Sequence, residues 1–148
     1  GLMRSRSRGY LRLRSAGLGA PIEIQPRFLS ESEDLDDLVE AVGFAMELAR
    51  TNAYADWFGG FAAPDRPLDR NGTIGFIRMA CSTFFHACGT AKMGTDEMAV
   101  VDPALAVRGV AGLRIADASV IPVIPSCHTH APVTMIGERA ADFILQSA

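Results

Sequence analysis

The chain has 148 residues, 49% of them apolar and 21% charged, which suits one globular domain able to bury a core of its own. A formal net charge of −3 offers no overall attraction to nucleic acid or to an anionic membrane surface. No apolar run approaches the roughly 20 residues that a membrane-crossing helix requires.

Arg4, Arg6, Arg8, Arg12 and Arg14 crowd the start, and acids crowd the stretch from Glu31 to Asp37. An exposed strand edge kept soluble by charge explains the arginines better than a phosphate-binding arm. The basic start carries no apolar stretch behind it and is no secretory signal. The opening Gly-Leu-Met reads as an internal boundary, with the native N-terminus missing. Three cysteines, an odd count, argue against a disulfide framework and for a reducing, cytoplasmic setting.

The two-residue period over Tyr10 to Arg14 predicts a half-buried strand, and Ile22-Glu23-Ile24 a second short one. Ser30 and Glu33 form a capping-box pattern. Behind it, Leu35, Leu38, Val39, Val42, Met46 and Ala49 recur at helical spacing, which predicts an amphipathic helix from Glu33 to Asn52. Phe58 to Pro67 reads as a loop. Leu68 to Ala80 predicts a second helix, weakened by Gly72 and Gly75. Ser82–Phe85, Met98–Asp102 and Leu113–Ile115 are strand candidates, with turns at Asp102-Pro103 and Arg108-Gly109. Val120 to Pro125 is apolar but broken by prolines. A last helix is expected from Pro132, with Met135, Ile136, Ala140, Phe143 and Ile144 on its apolar face. Short strands mixed with about three helices, without regular alternation, indicate an α+β fold with a partial antiparallel or mixed sheet.

The sequence contains no GxGxxG dinucleotide fingerprint, no Walker-type phosphate loop, no GxSxG and no HExxH. All three histidines fall in two segments, Phe85 to Gly94 and Ser126 to Pro132. Four readings compete. A metal site would draw on Cys81, His86, Cys88, Cys127, His128 and His130, but the spacings match no finger or ribbon, so no metal is expected. Two imidazoles converging on one carbinol could share proton transfer, one accepting the proton and the other orienting the oxygen. A Cys–His nucleophile, Cys88 with His86 or Cys127 with His128, ranks below metal. The fourth reading is simply hydrogen-bonded core histidines.

The ordered motifs narrow this. His86-Ala-Cys-Gly-Thr-Ala-Lys-Met-Gly is followed by Val101-Asp102-Pro103, by Val107-Arg108-Gly109-Val110, and by Gly112-Leu113-Arg114-Ile115-Ala116-Asp117-Ala118-Ser119. Thr129-His130-Ala131-Pro132 and Met135-Ile136-Gly137-Glu138-Arg139-Ala140-Ala141-Asp142 complete the series. In this order they resemble the C-terminal region of glucose–methanol–choline (GMC) oxidoreductases, closest to the choline dehydrogenase-like and alcohol dehydrogenase-like branch. Ser7-Arg8-Gly9 with Leu11 to Ser15 resembles the first strand of that region, so the resemblance covers nearly the whole chain.

The resemblance implies an FAD-dependent enzyme that oxidises a primary or secondary alcohol by moving a hydride from the carbinol carbon to the flavin. It implies His86 as catalytic acid/base and His130 as the second active-site residue, with no role for His128. It implies cofactor contacts at Asp117, Ala118, His130, Ala131 and Pro132. Residues 1–95 would then be a substrate-binding part and 96–148 a flavin-contacting tail of a two-domain enzyme. The Rossmann-type FAD-binding half, N-terminal in the family, is missing. The chain is therefore expected to be a truncated piece, a split subunit or a domain fragment, without FAD and inactive alone. Expected partners are the small alcohol, the missing half, and a second copy through exposed apolar surface. Many relatives carry Cys where Ala91 stands, so thiol chemistry there is dropped. A non-catalytic interaction module and a family lyase that cleaves cyanohydrins remain alternatives.

Overall fold

In the computed structural model, which describes residues 1–146, the chain is α+β, with three α-helices and one two-stranded antiparallel sheet. The strands are β1 (Tyr10–Arg12) and β2 (Glu23–Gln25). The helices are α1 (Ser32–Ala49), α2 (Arg70–Ala80) and α3 (His130–Gln146). Short 3-10 turns cover Asn52–Tyr54 and Ala118–Val120. The described residues divide into two compact units, residues 1–9 with 23–82, and residues 10–22 with 83–146.

In the first unit α1 packs on α2, with Leu35 and Ile77 in its interior. α1 follows its apolar period, but the capping box does not form. Glu31 is the N-cap and makes no side-chain cap bond. Its N–H instead donates to the hydroxyl of distant Ser7 (3.2 Å). Asp34, in the first turn and fully buried, faces the same N-terminal segment. Its carboxylate accepts from the Ser5 hydroxyl (2.7 Å), the Arg6 N–H (2.7 Å), the Ser7 N–H (2.8 Å) and the Ser7 hydroxyl (2.5 Å). Burial acts to raise the Asp34 pKa, but those donors outweigh it and hold the carboxyl at about 2. α2 forms despite Gly72 and Gly75 because Asp69 caps it, accepting the Gly72 N–H at 2.7 Å.

The second unit has a core of Val101, Leu105, Val120, Ile121, Ile136 and Ala140. The strands expected at Met98–Asp102 and Leu113–Ile115 are only isolated bridges, Met93 with Val101, Val101 with Val107, and Ala106 with Arg114. The Asp102 turn explains this. The Asp102 carboxylate accepts the N–H groups of Ala104 and Ala106, and Leu105 is left-handed (φ 64°), so pairing stops after single residues. Ser82–Phe85 is likewise not a strand. Thr83 Oγ1 accepts the Phe85 N–H, and Phe85 takes a left-handed φ of 61°. α3 starts two residues before the expected Pro132, which lies in its first turn, where the missing N–H costs no helical bond.

Many large apolar side chains lie open, Trp57 (87%) and Phe85 (85%) most of all the aromatic ones. Among the described residues, no helix is long and apolar enough to cross a membrane.

Candidate active site

The loop carrying His86 is zipped by its backbone to the segment around Asp117. The N–H groups of Gly89, Ala91 and Met93 donate to the carbonyls of Ala118 (3.3 Å), Ser119 (2.9 Å) and Val120 (2.8 Å). Val120 and Ile121 then drop into the core beside Ile136 and Ala140 of α3. Three stretches far apart in sequence thus share one foundation: the loop after His86, the Asp117-Ala118 pair, and the helix that follows His128. Gly89 makes the first join feasible. It sits at φ 85°, and a β-carbon there would lie 3.2 Å from the Ile121 carbonyl oxygen. Gly89→Ala is therefore expected to cost about 1–2 kcal/mol, from left-handed strain plus crowding, seen as a lower thermal midpoint.

Asp117 caps the 3-10 turn, its Oδ1 accepting the Ser119 N–H at 2.7 Å. The Ser119 hydroxyl and N–H hold its carboxyl below the usual carboxylate range. On the far side of the loop, Asp96 accepts from Lys92 (2.9 Å) and from the Met98 N–H (3.0 Å). The Lys92 bond leads in lowering its pKa, so Lys92 works as a loop anchor.

His86 is half-buried and held at both ring nitrogens. Its Nε2 lies 2.7 Å from Nδ1 of His128, and its Nδ1 lies 3.3 Å from Oγ1 of Thr129. The two imidazoles meet edge to face, 84° between planes and 4.9 Å between centroids. Phe84 completes a three-ring cluster, edge-on to His86 (5.4 Å) and near-parallel to His128 (5.9 Å). Phe85, directly before His86, carries the strained left-handed backbone already noted, a kind of strain that collects at functional sites.

His130 is the first residue of α3 and is exposed; its carbonyl accepts the Thr134 hydroxyl (3.0 Å). The first intrahelical bond runs from Val133 N–H to the Thr129 carbonyl (3.0 Å), so the N–H groups of His130 and Ala131 lie ahead of it. The imidazole in contact with His86 is thus His128, two residues earlier. Among the described residues, no three His, Cys, Asp or Glu side chains gather as a metal-binding group. Cys88 packs against the core cluster and Cys127 is exposed.

The residues present suit one edge of a flavin. An anionic pyrimidine edge needs N–H donors and positive potential, and the first turn of α3 supplies both, with His130 and Ala131 exposed to meet it.

The family profile described as GMC oxidoreductase matches residues 5–137. An uncharacterized GMC-type oxidoreductase of Mycobacterium tuberculosis is 42% identical over 147 residues, 97% of this chain and 28% of that protein. An oxygen-dependent choline dehydrogenase of Brucella ovis is 39% identical over 148 residues, 98% of this chain and 27% of that protein. Among solved structures, an Aspergillus oryzae formate oxidase studied for its FAD modification superposes with a TM-score of 0.88 at 32% identity, covering 94% of this chain and 25% of that one. The chain spans about 28% of the length of the curated relatives it matches. A profile match across most of its length, with close relatives covering nearly all of it, means that the chain belongs to the GMC oxidoreductase family.

Proposed function

We propose that this chain is the C-terminal catalytic part of an FAD-dependent oxidoreductase that converts a primary or secondary alcohol to its carbonyl compound. The observation that carries the reading is the convergence of His86, the Asp117-Ala118 turn and the start of α3 on one core. Bound FAD supplies the hydride acceptor for the carbinol carbon. His86 takes the hydroxyl proton, and the imidazolium it becomes stabilises negative charge nearby. His130, at the head of α3, orients the substrate oxygen. Asp117, Ala118, His130, Ala131 and Pro132 would hold the flavin, the N–H groups at the head of α3 offering it donors and positive potential.

In this reading residues 1–95 shape the substrate side and residues 96–148 meet the flavin. A flavin-binding half supplies the nucleotide grip, so the chain alone binds no FAD and turns over no alcohol. The exposed apolar side chains support packing against that half or against a second copy. The reducing setting expected from the cysteines supports a cytoplasmic site of action.

An FAD-loaded enzyme containing this chain, given a primary alcohol and an artificial electron acceptor, is expected to yield carbonyl product and reduced acceptor in equal amounts. With oxygen excluded, no oxidation of any alcohol offered, and carbonyl released instead from a cyanohydrin without acceptor reduction, would indicate a lyase and contradict the proposal.

A further inference from the structure

We infer that His128 is a positioning residue: its Nδ1–H donates to Nε2 of His86 while Nδ1–H of His86 donates to Thr129, fixing the ring plane and tautomer of His86 before substrate arrives. The inference rests on the proposed role of His86 as base, which determines the direction of both bonds.

A neutral imidazole has one N–H and one bare nitrogen, so two ring nitrogens 2.7 Å apart must meet as one donor and one acceptor. Two arrangements satisfy the contact, because the Thr129 hydroxyl on the other nitrogen donates or accepts equally well. In one, Nε2 of His86 carries the proton, and the ring has no lone pair facing His128. In the other, Nε2 is bare, Nδ1 is protonated toward Thr129, and His128 is the donor. Only the second leaves a lone pair at Nε2 ready for a substrate hydroxyl. The contact between the rings is open to solvent, so that hydroxyl can take the place of His128 at Nε2. Phe84, edge-on to one ring and near-parallel to the other, limits how either ring can turn. Thr129 holds the base through its second nitrogen, Nδ1, a general way to fix tautomer and orientation, while the bond from His128 favours a bare Nε2 until the hydroxyl replaces it.

The test is nitrogen-15 NMR of the labelled chain at a pH well above the ordinary imidazole range, with His128→Phe, His128→Asn and Thr129→Val variants. His128→Phe keeps a ring beside Phe84 and removes both nitrogens; His128→Asn retains a donor. The wild-type chain is expected to show His86 as the Nδ1–H tautomer, with scalar coupling across the bond from His128 Nδ1 to His86 Nε2. His128→Phe and Thr129→Val are expected to give a mixture of tautomers, and His128→Asn to restore the Nδ1–H form. A His86 ring in the Nε2–H form, or a tautomer ratio unchanged by His128→Phe, would overturn the inference. In the FAD-loaded enzyme, His128→Phe is expected to lower kcat about tenfold with little change in KM, and His128→Asn to recover most of it. An unchanged kcat in His128→Phe would also overturn it. Failure of the base assignment itself looks different: His86→Ala would then retain turnover, whatever tautomer the NMR reports.

Discussion

Replacing His86 by alanine in the FAD-loaded enzyme is expected to lower alcohol turnover by about 10²- to 10⁴-fold, the range that a positioned general base contributes. The fold should barely notice. His86 is half-buried, and its neighbours His128, Thr129 and Phe84 lie on the accessible side of the unit rather than in the core formed by Val101, Val120 and Ile136. Removing the ring returns His128 to water and strands no deeply buried donor, so the thermal midpoint should move by only a few degrees. Flavin absorbance should persist, because the proposed cofactor contacts lie on the Asp117 turn and the first turn of α3. A loss of turnover accompanied by loss of flavin or of folding would assign His86 a structural part instead. Combining His86→Ala with His130→Ala should cost far less than the product of the two single effects, since residues acting on one proton transfer are not additive.

The largest effect on stability is expected at Asp34. Alanine there leaves the Ser5 and Ser7 hydroxyls and the Arg6 and Ser7 N–H groups without their acceptor, around a carboxylate that is itself fully buried. A broken buried network of this kind costs about 3 kcal/mol or more. The loss should appear as a lower urea midpoint followed by far-ultraviolet circular dichroism. The same carboxylate makes the fold sensitive to acid, and the sign follows from its pKa. The folded value, about 2, lies below the ordinary 3.8, so the unfolded chain binds the proton more tightly. Its contribution, up to about 2 kcal/mol, is fully present above pH 4 and drains away as the pH falls toward 2. In Asp34→Ala that part of the acid dependence should vanish. An unchanged acid limb in the variant would mean that other carboxylates govern it.

The helices were legible because periodicity is local. Leu35, Leu38, Val39, Val42, Met46 and Ala49 mark α1 by themselves, and the Asp69 cap lets α2 survive two glycines. What sequence order concealed was carried by distant partners. The Ser30–Glu33 pattern gave way to Ser7, more than twenty residues upstream, and to an Asp34 carboxylate turned toward the same segment. The expected strands after Met98 stop because Asp102 spends its carboxylate on Ala104 and Ala106. In the candidate site, the ordered motifs singled out His86, Asp117, Ala118 and the head of α3, segments that fold onto one core. The ring contact between His86 and His128 could not be read, since a side-chain meeting across 42 positions depends on the backbone ladder from Gly89 to Met93 that only folding creates.

The most direct measurement is anaerobic mixing of the FAD-loaded enzyme with an alcohol deuterated at the carbinol carbon and with its unlabelled form, followed by flavin absorbance. Bleaching that is slowed by deuterium, and that collapses in His86→Ala while alcohol still binds, is the predicted result. Flavin bleached as fast in His86→Ala as in the wild type would contradict the account.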